Sequence, residues 1–100
     1  MKKVYKSFDI AGLKYYEALF VISKLKVGQK LKLKPEPSNI YDEGAVAIYY
    51  KKRKLGYIPK NANYSISQIL KAGWNIFECY IQTIDRENLA IGVALFVRER

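Results

Sequence analysis

Residues 36–60, EPSNIYDEGAVAIYYKKRKLGYIPK, gather side chains suited to gripping a flexible polyanion: Asn39, Asp42, four tyrosines and the basic run KKRK at 51–54. A tyrosine ring stacked on an unpaired base contributes roughly 1 to 3 kcal/mol. Tyr41, and Tyr15 in the earlier GLKYYE stretch, sit in loop-like contexts and are the rings expected to stack; Tyr49 and Tyr80 fit strands and are expected to be structural. Asp42 is the odd member, because phosphates repel a carboxylate. A free 3′-hydroxyl, however, can donate to it in a charge-assisted hydrogen bond worth roughly 1.5 to 3 kcal/mol. An internal nucleotide has no such hydroxyl, so an acid in a basic pocket selects strand ends. Lys14 and Lys60 are the expected first phosphate contacts, with KKRK and the lysines of KLKLK as an outer field supplying the salt-sensitive part of binding. Pro35 and Pro37 fix φ and hold the loop rigid. Asn39 suits an Asx turn, so Asn39 and Asp42 can also serve the loop's own backbone.

The charge distribution supports an anionic partner. Residues 1–60 carry 14 Lys and Arg against 5 Asp and Glu, whereas residues 61–100 carry 4 against 4. Charge concentrated in one part of a chain marks a surface that meets an anion, and nucleic acid leads an acidic protein or a phospholipid surface. One cysteine, Cys79, and no histidine leave no disulfide, zinc cage or histidine-based triad to assemble, so no cofactor or metal is expected. The amino terminus has no signal-like apolar run, and no stretch reaches the roughly 18 apolar residues of a membrane span. The expected compartment is cytoplasmic, nucleoid-associated in a bacterium.

A chain of 100 residues accommodates one core, so residues 1–100 are expected to form one domain. VYKSFDI alternates, with Val4, Phe8 and Ile10 expected on one inward face. GLKYYEALFVISKL suits a short helix or a buried strand equally. In KLKLK, Leu31 and Leu33 face inward and the lysines outward. AVAIYY and KLGYIP form a hairpin turning at 51–54, Asn61 or Asn63 caps a helix with Ile66, Ile69 and Leu70 on one face, and Gly73 ends it. WNIFECYIQTI and NLAIGVALFV supply two last strands around the turn DREN, with Cys79 buried in the first. The expected fold is mainly β with one or two short helices: a small OB-like or SH3-like, partly closed barrel of five to six strands.

FDIAGLKYY, GQKLKLKPEPSNIYDEGAVAIYY and KLGYIPKNANYSISQILKAG together resemble the HIRAN domain, with its E-P-x-N-x-Y-D-x-x-A-V motif and later G-Y-[IV]-P, in order and spacing from about Phe8 to Val97. The resemblance implies an OB-like fold that binds single-stranded DNA at a 3′-hydroxyl end. It implies pocket roles for Lys14, Tyr15, Tyr16, Asn39, Tyr41 and Asp42, and a phosphate contact at Lys60. Tyr57 stands where end-binding members carry His, and Leu89 or Ala90 where they carry an aromatic ring. These 100 residues hold no ATPase or RING segment, so a free-standing HIRAN domain is expected.

The expected function is therefore non-enzymatic recognition of single-stranded DNA. An adaptor module for a DNA-processing ATPase or nuclease is the main alternative, and RNA in place of DNA stays open. A two-metal nuclease built on Glu36, Asp42 and Glu43 is disfavoured, because all three share one short loop.

Overall fold

The computed structural model describes residues 3–98. Its strands are β1 (Lys3–Asp9), β2 (Lys30–Pro35), β3 (Val46–Tyr50), β4 (Arg53–Tyr57), β5 (Phe77–Asp85) and β6 (Ala90–Val97), with helices α1 (Ala18–Val21) and α2 (Tyr64–Lys71). All pairings are antiparallel, in the order β1-β6-β5-β2-β3-β4. Among the described residues, an isolated bridge between Ala11 and Tyr57, with reciprocal backbone hydrogen bonds of 2.8 and 2.9 Å, joins the two ends of the sheet. The result is a mainly β, partly open barrel. A side chain at Gly56 would drive a Cβ into the Ala11 carbonyl, so this seam requires a glycine in the GYIP segment.

The core follows the alternation of the strands. Ile48, Leu55, Ile81, Ile91 and Leu95 are fully buried together with Ile66 of α2. Each removes most of an aliphatic side chain from water, worth about 1.5 to 3 kcal/mol apiece. Leu31 is buried and Leu33 half-buried while Lys30, Lys32 and Lys34 are exposed, as alternation predicts. Buried Cys79 has its thiol pushed up to about 12 by loss of solvent. Among the described residues no helix is long and apolar enough to cross a membrane.

Two local expectations are corrected and one left open is settled. Val4 is 55% exposed, because a bulge between Val4 and Lys6 inserts Tyr5 and breaks the alternation; the Tyr5 ring covers Phe77 instead, at 5.1 Å between centroids. The ambiguous stretch after β1 is helical, with 3-10 turns at Leu13–Tyr15 and Ile22–Lys24 flanking α1. The hairpin turn is shorter than KKRK: Tyr50 pairs with Arg53, so only Lys51 and Lys52 turn, Lys51 at φ 53°, and Arg53 and Lys54 already belong to β4. α2 ends as its glycine predicts. Gly73, at φ 90°, donates to the Leu70 carbonyl and Trp74 to that of Ile69, a Schellman closure.

Candidate nucleic-acid interface

The loop between β2 and β3 is braced by its own polar groups. The Asn39 Oδ1 accepts from the backbone N–H of Tyr41 (2.9 Å) and Asp42 (3.1 Å), forming the Asx turn expected of it. Asp42 Oδ1 accepts from the Gly44 N–H at 2.9 Å, and the Glu36 N–H donates to the Ala45 carbonyl at 2.8 Å. Braced by these bonds, the loop can hold Tyr41 out in solvent, 86% exposed.

This loop and the end of β4 enclose a cleft of about 250 Å³. Of the eight residues picked out from the sequence, Tyr16, Asn39, Tyr41, Asp42, Tyr57 and Lys60 line it. Tyr16 meets Tyr57 edge to face at 5.5 Å between centroids, so with Tyr41 the cleft has three tyrosine walls over an apolar base of Ala45 and Ile58. Lys60 is exposed on the 3-10 turn Lys60–Ala62, directly after Pro59. The other two stand outside. Tyr15 is 75% exposed with the Lys14 ammonium 5.8 Å from its ring centroid, and Lys14 borders a separate hollow beside Leu89 and Ala90. The aliphatic pair therefore meets Lys14 and not the tyrosine cleft.

Behind the cleft is a cluster that sequence reasoning missed. Lys54 Nζ lies 2.8 Å from Glu36 Oε2 and donates to the Tyr57 hydroxyl at 2.9 Å; that hydroxyl donates to Glu36 Oε1 at 2.7 Å, and Asn39 Nδ2 donates to the same oxygen at 3.1 Å. Burial works against the charge on Glu36, but hydrogen bonds from Lys54, Tyr57 and Asn39 outweigh it and hold the carboxyl below its ordinary value. Burial likewise disfavours charge on Lys54, and the bonds to Glu36 and Tyr57 override it, keeping the amine protonated well above its usual range. Burial is also the main reason the Tyr57 phenol is pushed up to about 12. Tyr57 is thus a fixed, protonated wall, and Lys54 is a cation already neutralised.

Asn63 is the second missed residue. Expected as a helix cap, it occupies that position on α2 but makes no side-chain cap; buried to 4% exposure, its Nδ2 donates to Asp42 Oδ2 at 2.8 Å. Asp42 therefore has one bond on each oxygen, from Gly44 and from Asn63, and a carboxylate has lone pairs for more. It borders both the tyrosine cleft and a neighbouring hollow of about 260 Å³ beside α2. Glu36 faces Lys54 and Asp42 faces Asn63, and among the described residues no three acidic, histidine or cysteine side chains converge as a metal site would require.

Comparison with known proteins gives this geometry a family. The HIRAN domain description matches residues 4–99. Among solved structures, a protein from Lactobacillus plantarum superposes with a TM-score of 0.86 at 20% identity, covering 97% of this chain and 95% of that one. The HIRAN domain of human HLTF superposes with a TM-score of 0.70 at 16% identity, covering 98% and 81% respectively. No curated protein matches the chain. HIRAN domains are a nucleic-acid-binding family, binding modules and not catalysts. A match over nearly all of the chain, joined to the fold, makes this protein a member of the HIRAN domain family.

Proposed function

We propose that this chain is a single, non-enzymatic HIRAN module that binds single-stranded DNA and prefers a 3′-hydroxyl end. The observation that carries the reading is the cleft itself: three tyrosine rings, one of them 86% exposed, beside a carboxylate and an exposed lysine. Tyr41 and Tyr16 stack the terminal bases, Lys60 meets a phosphate, and Asp42 accepts from the terminal hydroxyl. Asn39 contributes by holding Tyr41 and Asp42 in place, and Tyr57 as a wall in the position where end-binding members carry His. Lys14 and Tyr15 act farther along the strand.

Asp42→Asn is the informative variant, because truncation to Ala would also undo the turn that ends at Gly44. The amide keeps an acceptor for Gly44, and a flip of the Asn63 amide lets its oxygen accept from the new NH2, but the charge that favours the hydroxyl is lost. Binding of strands ending in a 3′-hydroxyl or a 3′-phosphate should become equal in this variant, with affinity for the blocked strand retained. An unchanged preference contradicts the role given to Asp42. A ribose strand in parallel tests DNA against RNA.

The adaptor reading draws on Leu19 and Phe20, 64% and 71% exposed on α1. It predicts a DNA-processing protein partner whose capture is lost on Phe20→Ser, with no oligonucleotide bound at any length.

A further inference from the structure

β2 pairs with β5 only through Lys30–Tyr80 and Leu31–Cys79, whereas it follows β3 from Lys32 to Pro35. Where β2 leaves β5 the barrel opens into a second cleft of about 550 Å³, larger than the tyrosine cleft. Its floor is apolar, from Leu31, Leu33, Leu70 and Phe77. Its rim carries five cations: Lys30, Lys32, Lys34, Lys51 and Arg98. Glu78 lies 3.5 Å from both Lys30 and Arg98 and offsets part of their charge. Among the described residues no carboxylate pairs with Lys32, Lys34 or Lys51.

Three lysines at alternate positions of one strand repel one another, and among the described residues no carboxylate relieves the repulsion on the last two. Their spacing, two strand residues or roughly 6.6 Å, is comparable with the separation of neighbouring phosphates in an extended single strand. Tyr49 lies among them, paired across β2–β3 with Lys32 and across β3–β4 with Lys54, its ring centroid 5.9 Å from the Lys34 ammonium. Opposed residues on antiparallel strands share a face, so Lys32, Tyr49 and Lys54 form one row, and Lys34, Ala47 and Tyr57 form the next. Tyr57 lines the tyrosine cleft and Lys54 stands behind it, donating to the Tyr57 hydroxyl. A strand leaving that cleft therefore reaches Lys32 and Lys34 after crossing two strand spacings, about 10 Å.

We infer that this basic cleft is a second nucleic-acid site: it holds the phosphate backbone of a single strand a few nucleotides inward from the end, with Lys32, Lys34 and Lys51 on phosphates and Tyr49 against a base. Tyr49, expected from its strand context to be structural, becomes a contact. The direction of the strand rests on the end-binding reading above; the ligand class rests on the charges of the cleft alone.

Salt titration of binding separates the two. Strands of about 4 and about 16 nucleotides are compared, since single OB-like modules cover sites of this range. The double variant Lys32→Gln/Lys34→Gln is set against Lys24→Gln/Lys26→Gln, which removes equal charge from residues outside both clefts. At ~0.7 per phosphate contact, the first variant should flatten the logarithmic salt slope for the long strand by about 1.4. It should leave binding of the short strand and the preference for a 3′-hydroxyl unchanged, and the second variant should alter neither slope nor affinity. Equal flattening by both variants, or none from the first, overturns the second site whatever the end preference proves to be. Loss of end preference in the wild type with the slope change intact overturns the tyrosine cleft alone.

Discussion

The two clefts of this barrel differ in how their charges are handled. Around the tyrosine cleft almost every polar group is already engaged: Lys54 with Glu36 and Tyr57, Asn39 with its own loop, Asp42 with Gly44 and Asn63. In the basic cleft, Lys32, Lys34 and Lys51 have no carboxylate partner among the described residues. Satisfied groups hold side chains in fixed positions and can discriminate between ligands that differ by one hydroxyl. Unpaired surface cations discriminate little, but they attract a polyanion and make its binding sensitive to salt. On the proposed reading, position and affinity are supplied by different parts of one sheet.

The contrast can be broken first at the seam. Gly56→Val places side-chain atoms against the Ala11 carbonyl, which should cost about 3 kcal/mol, at the upper end for overpacking, and detach β4 from the segment after β1. Chemical denaturation should show a lower midpoint with an unchanged slope. Next in size is Glu36→Ala, which leaves the Lys54 ammonium and the Tyr57 hydroxyl without their acceptor at a cost of about 1 to 3 kcal/mol. The same denaturation experiment measures it, and a neutral result would mean that water replaces the carboxylate.

The pH dependence sharpens the same point. The folded-state pKa of Glu36 is depressed, so its contribution is present above the ordinary 4.5 and is lost as pH falls through the folded value. Lys54 is raised, so its contribution is present below 10.5 and is lost only as pH climbs beyond that. Thermal melts of wild type and Glu36→Gln should differ most near neutrality and converge below about 4.5. A constant gap across that range would argue against the ion pair.

Tyr41→Ala should leave stability nearly unchanged, because the ring is in solvent, yet cost about 1 to 3 kcal/mol of affinity for every single strand, free-ended or blocked. Equal affinity of wild type and variant in anisotropy titrations would remove Tyr41 from the interface. The smallest effect expected is at Lys51, whose positive φ strains any side chain. Lys51→Gly should be within about 1 kcal/mol of wild type in stability, since relief of strain and loss of chain stiffness oppose each other, while removing one cation from the basic cleft.

The strand segments, the inserted helix and the buried thiol were legible because each rests on local alternation or a single glycine, whereas the order β1-β6-β5-β2-β3-β4 in the sheet was not. Six of the eight candidate residues line one cleft for a related reason: four of them fall within the loop motif and the GYIP segment, whose spacing the hairpin preserves. The Glu36–Lys54–Tyr57 cluster was not legible, because its members lie 18 and 21 positions apart and meet only through the pairing of β2, β3 and β4. Asn63 looked like a helix cap and is one by position; which partner its amide chooses depends on where the loop at Asp42 folds back. Val4 was misassigned because a bulge is invisible to a period-two pattern. The basic cleft was hidden for a similar reason: the lysines of β2 were visible, but not the point at which β2 parts from β5.

The central claim is that the tyrosine cleft reads a strand end. Fluorescence anisotropy of the intact protein with one 5′-labelled single strand, ending in a 3′-hydroxyl or a 3′-phosphate at near-physiological salt, tests it most directly. Tighter binding of the hydroxyl form, by roughly tenfold for one charge-assisted hydrogen bond, is the predicted result. Equal affinity for the two strands would contradict it.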